Sequence, residues 1–332
     1  MPRELSIAQA VNEGIREEMR RDPNVVLMGE DVGEYGGVFG VTRGLHAEFG
    51  GERVRDCPLN EAAIVGFAIG LAISGKPAIA EIEFMDFVTF AMDALVNQAA
   101  KLRYCYGGQV DMPLVVRTPV AAQLGFGSQH SQSLEAWFMH VPGLKVVMPS
   151  NAYDAKGLIK TAIRDRDPVL FIENVSLYGT KTEVPEDEYT IPFGQAAVRR
   201  EGDDVTIIAL SSMAPLALKA ADELARQGIH AEVIDPRTLA PLDMDTIVAS
   251  VEKTGRAVVV HLAHKTGGVG AEIAQQITER AFDYLDGPVV RVASVDAPVA
   301  ASGTLEKALY PDQRAIVEAC LSFRRADVGG VR

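Results

Sequence analysis

The sequence predicts an α/β protein of two domains, each with a parallel sheet between layers of helices. At 332 residues the chain is long for a single hydrophobic core. Short apolar runs alternate with helical patterns through both halves, which is typical of parallel sheets. A polar stretch with two prolines separates the halves. We therefore expect a first domain over residues 1–178, a linker over 179–192 and a second domain over 193–325.

Five apolar runs in the first half are expected to be the strands of its sheet. Each run is short and rich in β-branched residues, and helical patterns lie between the runs. Strands separated by helices form parallel sheets that are buried on both faces. The predicted strands are 25–28, 78–82, 114–117, 145–148 and 169–172.

The second half repeats this alternation on a smaller scale after the linker, which contains Pro185 and Pro192. Helices are expected over 217–227 and 243–251, and after Gly270. The predicted strands of the second domain are 205–210, 231–234, 257–261 and 289–292.

The charge of the chain argues against nucleic acid as a partner. The formal net charge is −13, whereas phosphate binding requires clustered Lys and Arg. An acidic surface favours a basic protein partner through electrostatic steering, although it accounts equally well for solubility alone. Both interpretations of the charge stay open.

The sequence predicts a cytoplasmic protein that does not enter a membrane. Its first residues show neither a signal peptide nor a transit peptide, and its apolar stretches are too short for a membrane span. Cys57, Cys105 and Cys320 are scattered, with no spacing typical of disulfide frameworks or zinc sites. This cysteine usage suits a reducing compartment.

The segment around Glu61 is the strongest candidate for chemistry. Asn60 and Glu61 begin an apolar, glycine-bearing helix, so the carboxylate lies where burial is expected. One interpretation is structural, with Asn60 as the cap and Glu61 beside the positive end of the helix dipole. The other is catalytic. The residues of this segment alone do not decide between them.

Several segments in one order resemble a known family. They are VVLMGEDVG (25–33), DCPLNEAAIVGFAIG (56–70), QHSQS (129–133), PGLKVVMPS (142–150) and EVIDPRT (232–238). Together they resemble the beta subunit of the thiamine diphosphate-dependent decarboxylating component of 2-oxo acid dehydrogenase complexes. The resemblance runs from about residue 5 to about residue 319 and covers the pyruvate, branched-chain and acetoin types. It implies a transketolase-like pyrimidine-binding domain followed by a transketolase carboxy-terminal domain.

The resemblance also assigns roles to individual residues. Glu61 matches the glutamate that bonds the cofactor's pyrimidine ring, where an apolar surround would raise its pKa for proton sharing. Leu59 and Phe87 would line the pyrimidine pocket, and Glu30 would border it. His130 matches an active-site histidine, in a loop after a parallel strand where active sites commonly form.

Cations are expected at two places in such an assembly. Magnesium would be held mainly by an alpha subunit, because the Gly-Asp-Gly motif of thiamine enzymes does not occur in this chain. The resemblance further implies a potassium site of main-chain carbonyls, although the acidic turn there could equally be solvated. The matching positions are Leu114, Ala162, Ile163, Asp165 and Asp167.

The implied protein is the beta subunit of an α2β2 enzyme that decarboxylates a small 2-oxo acid. It would pass the acyl group to the lipoyl domain of a dihydrolipoyl acyltransferase. An acetoin dehydrogenase subunit, a non-catalytic scaffold subunit and a split transketolase-like enzyme are alternatives. Two departures bear on details: Leu262 replaces a usual glutamate, and Glu83 replaces a frequent glutamine.

Overall fold

The computed structural model describes residues 3–329, with side chains as far as residue 323. The chain forms two compact units. The first runs to Phe193 and includes Leu239–Pro241, and the second runs from Gly194 to Thr238 and resumes at Leu242. Within the described residues no helix has the length and apolar character needed to cross a lipid bilayer.

The first unit alternates strands and helices, as predicted. Its elements are β1 (Glu4–Ser6), α1 (Ile7–Arg21), β2 (Val26–Gly29), α2 (Leu45–Phe49), β3 (Val54–Asp56), α3 (Glu61–Ile73), β4 (Ala78–Glu81), a 3-10 helix (Met85–Ala91), a π-helix (Asp93–Ala99), α4 (Ala100–Cys105), β5 (Leu114–Val120), α5 (Glu135–Met139), β6 (Lys145–Val147), α6 (Ala152–Arg164), β7 (Val169–Asn174), a 3-10 turn (Val175–Leu177) and β8 (Lys181–Glu183).

The remaining elements follow from Ala197 onwards. They are β9 (Ala197–Arg200), β10 (Val205–Ala209), α7 (Met213–Arg226), β11 (Ala231–Asp235), β12 (Thr238–Ala240), α8 (Met244–Thr254), β13 (Ala257–His264), α9 (Val269–Ala281), a 3-10 turn (Phe282–Tyr284), β14 (Val290–Ser294), α10 (Gly303–Lys307) and α11 (Gln313–Gly329).

The main sheet of the first unit has the strand order β12-β6-β7-β5-β4-β2-β3. Its pairings from β6 to β3 are parallel, which confirms the parallel sheet predicted here. The five predicted strands are present, and β3 and β12 are strands that the sequence patterns did not indicate. Because neighbouring strands run in one direction, their carboxyl ends meet at one edge of the sheet.

Helices α1 and α6 pack together over the core of the first unit. Gly14 allows the close approach, since a Cβ there would lie 2.5 Å from Cγ2 of Ile159. Between the helices, the buried ammonium group of Lys156 lies 2.7 Å from Glu13 and that of Lys160 lies 2.6 Å from Glu17. The two lysines are therefore buried with partners, as buried charges require.

Residues 179–192, predicted as a linker, lie within the first unit. Strand β8 pairs antiparallel with β1, with Thr182 opposite Leu5. Val184 and Ile191 are buried and belong to the same hydrophobic cluster as α1 and α6. These apolar side chains anchor an otherwise polar segment, which explains why composition alone indicated a linker.

The second unit contains a sheet of order β14-β13-β10-β11-β9. Its pairings from β14 to β11 are parallel, and the sequence patterns did not indicate its edge strand β9, which pairs antiparallel with β11. Only residues 201–204 separate β9 from β10 in the chain. A parallel crossover requires a dozen or more residues, so this connection is too short for one.

A buried ion network links three neighbouring strands in the first unit. From β5, Arg117 donates to Glu173 of β7 at 2.7 and 2.9 Å and also bonds Glu81 of β4. Tyr178 donates to Glu173 at 2.9 Å. Burial disfavours the Arg117 charge, but the Glu173 and Glu81 carboxylates outweigh it and raise the pKa of Arg117.

Arg117→Ala should lower the free energy of unfolding by about 3–5 kcal/mol, because two buried carboxylates would lose their counter-charge. The exposed pair between Arg166 and Asp111, at 2.9 Å, supplies a matched control. Arg166→Ala should cost about 0–1 kcal/mol. Urea denaturation of both variants checks the difference, and equal costs would contradict a structural role for the buried network.

Candidate active site

The first feature of the site is Glu61, the first residue of α3. Asn60 is the helix cap, since its side-chain oxygen accepts a hydrogen bond from the N–H of Ala63 at 3.0 Å. Glu61 is 9% exposed although it carries a carboxylate. Capping is therefore provided by Asn60, and the buried carboxylate of Glu61 is available for another purpose.

Three carboxylates gather at the same edge of the sheet. Glu30 follows β2, Glu61 follows β3 and Glu83 follows β4, and these three strands are neighbours in a parallel arrangement. Burial, and then the charges of Glu61 and Asp31, raise the pKa of Glu30. The mutual repulsion indicates that the sheet has brought Glu30 and Glu61 close together.

The pKa of Glu83 is raised more strongly than that of Glu30. Burial raises its pKa to about 7, with added repulsion from Glu30, Asp31, Glu81 and Glu61. A carboxyl group with that pKa is partly protonated at neutral pH and can donate as well as accept a proton. Sequence reasoning noted Glu83 as a departure but assigned it no role, although the Glu81-Ile82-Glu83 pattern at a strand end was a usable signal.

His130 lies in a group of aromatic rings. Its ring centroid is 4.9 Å from that of Phe84 and 5.1 Å from that of Phe87, in edge-to-face geometry. Phe126 packs against Phe84 from the same loop at 5.8 Å. The structure thus brings together two predicted site residues, His130 and Phe87, and both are half-buried.

Asp86 ties the His130 loop to the 3-10 helix, a role that sequence reasoning missed. Its buried carboxylate accepts hydrogen bonds from the side chain of Gln132 at 2.8 Å and from the main-chain N–H of Gln132 at 3.3 Å. Burial raises the pKa of Asp86, and the hydrogen bonds from Gln132 act in the opposite direction. In the sequence, the usable signal was a single charged residue, Asp86, between the apolar residues Met85 and Phe87.

Segment 83–87 connects the acidic and aromatic parts of the site. Glu83 interacts with the carboxylates around Glu61, whereas Phe84 and Phe87 contact His130. Helix α3 also packs directly against the 3-10 helix that contains Phe87. One short segment therefore interacts both with Glu61 and with His130.

The contacts of Leu59 and of the predicted potassium positions do not test the roles predicted for them. Leu59 is 73% exposed, so its place in a pocket stays a prediction.

Near the predicted potassium site of main-chain carbonyls, the Lys145 ammonium lies 2.7 Å from Asp165 and 3.2 Å from Asp167. Leu114, Ala162 and Ile163 are buried beside this region. The described residues contain no side-chain cluster of metal-ligand type, and main-chain carbonyl coordination stays a prediction.

Family comparisons cover nearly the whole chain. Residues 3–181 match the transketolase pyrimidine-binding domain and residues 194–316 match the transketolase C-terminal domain. A split-gene transketolase, solved as an inactive β4 tetramer, has a TM-score of 0.80 at 24% identity and covers 96% of this chain and 98% of its own. At that identity the likeness concerns the fold alone.

Relatives with higher sequence identity are oxidoreductase subunits of similar length. The chain is 48% identical to the acetoin:2,6-dichlorophenolindophenol oxidoreductase subunit beta of Cupriavidus necator, covering 96% of this chain and 97% of the relative. It is 46% identical to the pyruvate dehydrogenase E1 component subunit beta of Bacillus subtilis, covering 95% and 97%. The chain belongs to the thiamine diphosphate-dependent family of 2-oxo acid and acetoin dehydrogenase beta subunits.

Proposed function

We propose that this chain acts, together with an alpha subunit, in the decarboxylation of pyruvate or a related 2-oxo acid, with acetoin cleavage as the alternative. The acyl group would pass to the lipoyl domain of a dihydrolipoyl acyltransferase. The observation that carries the proposal is the buried carboxylate of Glu61, which lies in an acidic group with Glu30 and Glu83 and adjoins the His130 segment.

The site chemistry fits thiamine diphosphate. When bound, this cofactor supplies a thiazolium carbon that stabilises the negative charge left by decarboxylation. Glu61 would share a proton with the pyrimidine ring, because a buried carboxyl group is suited to that exchange. Phe87 offers a half-buried ring for stacking, Leu59 would supply a further apolar side chain, and Glu30 a further carboxyl group at the border.

His130 is the proposed proton donor toward the substrate. Its ring is held edge-on by Phe84 and Phe87, so its orientation is fixed before a substrate arrives. Histidine can donate or accept a proton near neutral pH. Asp86, through Gln132, would keep the loop of His130 in place.

The two cations are proposed to be held by different chains. Magnesium is proposed to be held mainly by the alpha subunit, since this chain lacks the Gly-Asp-Gly motif. The potassium proposal rests on the main-chain oxygens of five residues, which suit a hard cation. These are Leu114, Ala162, Ile163, Asp165 and Asp167.

An exposed apolar face on α3 supports the proposed α2β2 assembly. Phe67 is 68% exposed and Ile73 is 48% exposed, although α3 begins inside the site. Beside them, Gly66 and Gly70 have open space where a side chain would lie. A contiguous apolar face of this kind is typical of a protein interface, and a partner there would cover the neighbourhood of Glu61.

Glu61→Gln in the co-expressed complex should reduce kcat by about 10²–10⁴-fold, because the variant cannot exchange a proton with the cofactor. The assay is decarboxylation of a panel of 2-oxo acids, and conversion of acetoin, with an artificial electron acceptor. Glu52→Gln, an exposed carboxylate in the same unit, is the matched control and should retain full activity.

The same assay separates the alternatives. A complex that is inert on every substrate, or a fully active Glu61→Gln variant, would favour a scaffold subunit. Activity on sugar phosphates without acylation of lipoamide would favour a split transketolase-like enzyme. The preferred substrate of the intact complex would decide between pyruvate, branched-chain 2-oxo acids and acetoin.

Glu83 should make the stability of the free chain depend on pH. Its pKa rises from 4.5 to about 7 on folding, so between these values the folded state binds more protons than the unfolded state. Stability contributed by the protonated group therefore declines as pH rises through this range. Urea unfolding at several pH values should show a smaller decline for Glu83→Gln than for wild type, whereas Glu52→Gln should follow wild type.

Phe67→Glu should prevent assembly with the alpha subunit, because a charge would be buried in the apolar interface. The folded chain should be little affected, since Phe67 is 68% exposed. Analytical ultracentrifugation of the co-expressed subunits checks the assembly. Val198→Glu, at a 41% exposed apolar residue of the second unit, is the control, and normal assembly of Phe67→Glu would refute this interface.

A further inference from the structure

One aromatic ring, that of Phe84, contacts both His130 and a second residue of the His130 loop, Phe126. The ring centroid of Phe84 lies 4.9 Å from that of His130 and 5.8 Å from that of Phe126, in edge-to-face geometry at interplanar angles of 81° and 73°. Phe84 is 8% exposed, so it is a fixed platform for both rings. Phe126 is therefore held beside the proposed proton donor, although the proposed function gives it no role.

The backbone of the loop also holds Phe126 near His130. The two neighbours of Phe126, Gly125 and Gly127, have φ angles of +78° and +79°, a left-handed conformation that favours glycine. The N–H of His130 donates to the carbonyl of Gly127 at 3.3 Å, which closes a turn between these two residues. Phe126 thus lies at a bend of the chain, one residue before the turn that leads to His130.

Phe126 differs from the neighbouring rings in its exposure. It is 46% exposed, whereas Phe84 is 8% exposed and Phe87 is half-buried. Its ring therefore packs against Phe84 on one side and borders open space on the other. A phenyl ring held in this way forms an apolar wall beside His130, and ligand sites commonly combine such walls with a few polar groups. The apolar part of a substrate that reaches His130 would meet this wall.

An aromatic wall discriminates between substrates by size rather than by charge. Pyruvate and acetoin have a methyl group on the ketone carbon, whereas branched-chain 2-oxo acids have a larger alkyl group there. A ring that is fixed by edge-to-face packing makes room for additional methyl groups only by losing its own contacts. A difference of one methylene group in an apolar pocket changes kcat/KM by about 10- to 200-fold. The position of Phe126 therefore bears on the substrate choice that the proposed function leaves open.

We propose that Phe126 limits the size of the acyl group that the site takes, so that methyl-bearing substrates, pyruvate or acetoin, are preferred over branched-chain 2-oxo acids. Phe126 is a specificity-determining residue and takes no part in proton transfer. The inference rests on the proposed function and narrows its substrate class. A ring that served only as a contact for a partner chain would affect all substrates alike, and this difference separates the two roles.

The test compares two values of kcat/KM for the co-expressed complex. One is for the better substrate of pyruvate and acetoin, and the other is for the 2-oxo acid with an isopropyl group in place of the methyl group of pyruvate. Phe126→Ala should raise the ratio of the branched-chain value to the methyl-substrate value about tenfold or more, because the volume of the ring becomes free. Phe126→Leu removes less volume and should give an intermediate ratio.

Isothermal titration calorimetry supplies a readout that does not depend on turnover. It uses complexes that also carry Glu61→Gln, for which turnover is expected to be slow. In this background Phe126→Ala should strengthen the binding of the branched-chain acid relative to that of pyruvate, because the ring acts on the fit of the substrate and not on the chemical step.

Phe282→Ala is the matched control, since Phe282 is a 69% exposed phenylalanine of the second unit, and it should keep the wild-type ratio. Circular dichroism verifies the fold of each variant, and if Phe126→Ala is unfolded, Phe126→Leu decides. An active complex whose ratio is unchanged in Phe126→Ala, or a wild type that prefers the branched-chain acid, would overturn this inference alone. A complex that is inert on all three substrates would overturn the proposed function as well.

Discussion

The buried pairing of Arg117 with Glu173 and Glu81 is the interaction on which the first unit's site depends. It joins β5 to β7 and to β4 at the edge of the sheet from which the site loops leave. Two buried carboxylates are tolerable there only because one guanidinium bonds both of them. With these strand ends fixed, the segments that carry Glu83 and His130 begin from defined positions.

The same edge explains why like charges can accumulate around Glu61. Parallel strands β3, β2 and β4 end side by side, so the residues that follow them meet whether or not their charges repel. Burial, with added repulsion, then raises the pKa of Glu30 and of Glu83. Carboxyl groups with a raised pKa are typical of proton-transfer sites, and the sheet, rather than the side chains, holds these two in place.

The second unit uses the same architecture with different consequences. Its sheet is smaller and mixed, and its strand β11 ends in a buried carboxylate, Asp235, which pairs with Arg199 at 2.9 Å. The first unit gathers several carboxyl groups at its sheet edge, whereas the second balances Asp235 with a guanidinium. This difference arises from the side chains at the strand ends and not from the fold.

The sequence by itself determined the α/β class and the five central strands of the first unit, because apolar periodicity is a property of neighbouring residues. The candidacy of Glu61 and His130 came from the resemblance of whole segments to a known family. It did not reveal the β1–β8 pair, the antiparallel edge strand β9, or the group formed by Glu30, Glu61 and Glu83. Those features depend on pairing between distant segments. Only the tertiary structure decided which charges share a strand edge, and hence that the pKa of Glu30 and of Glu83 is raised.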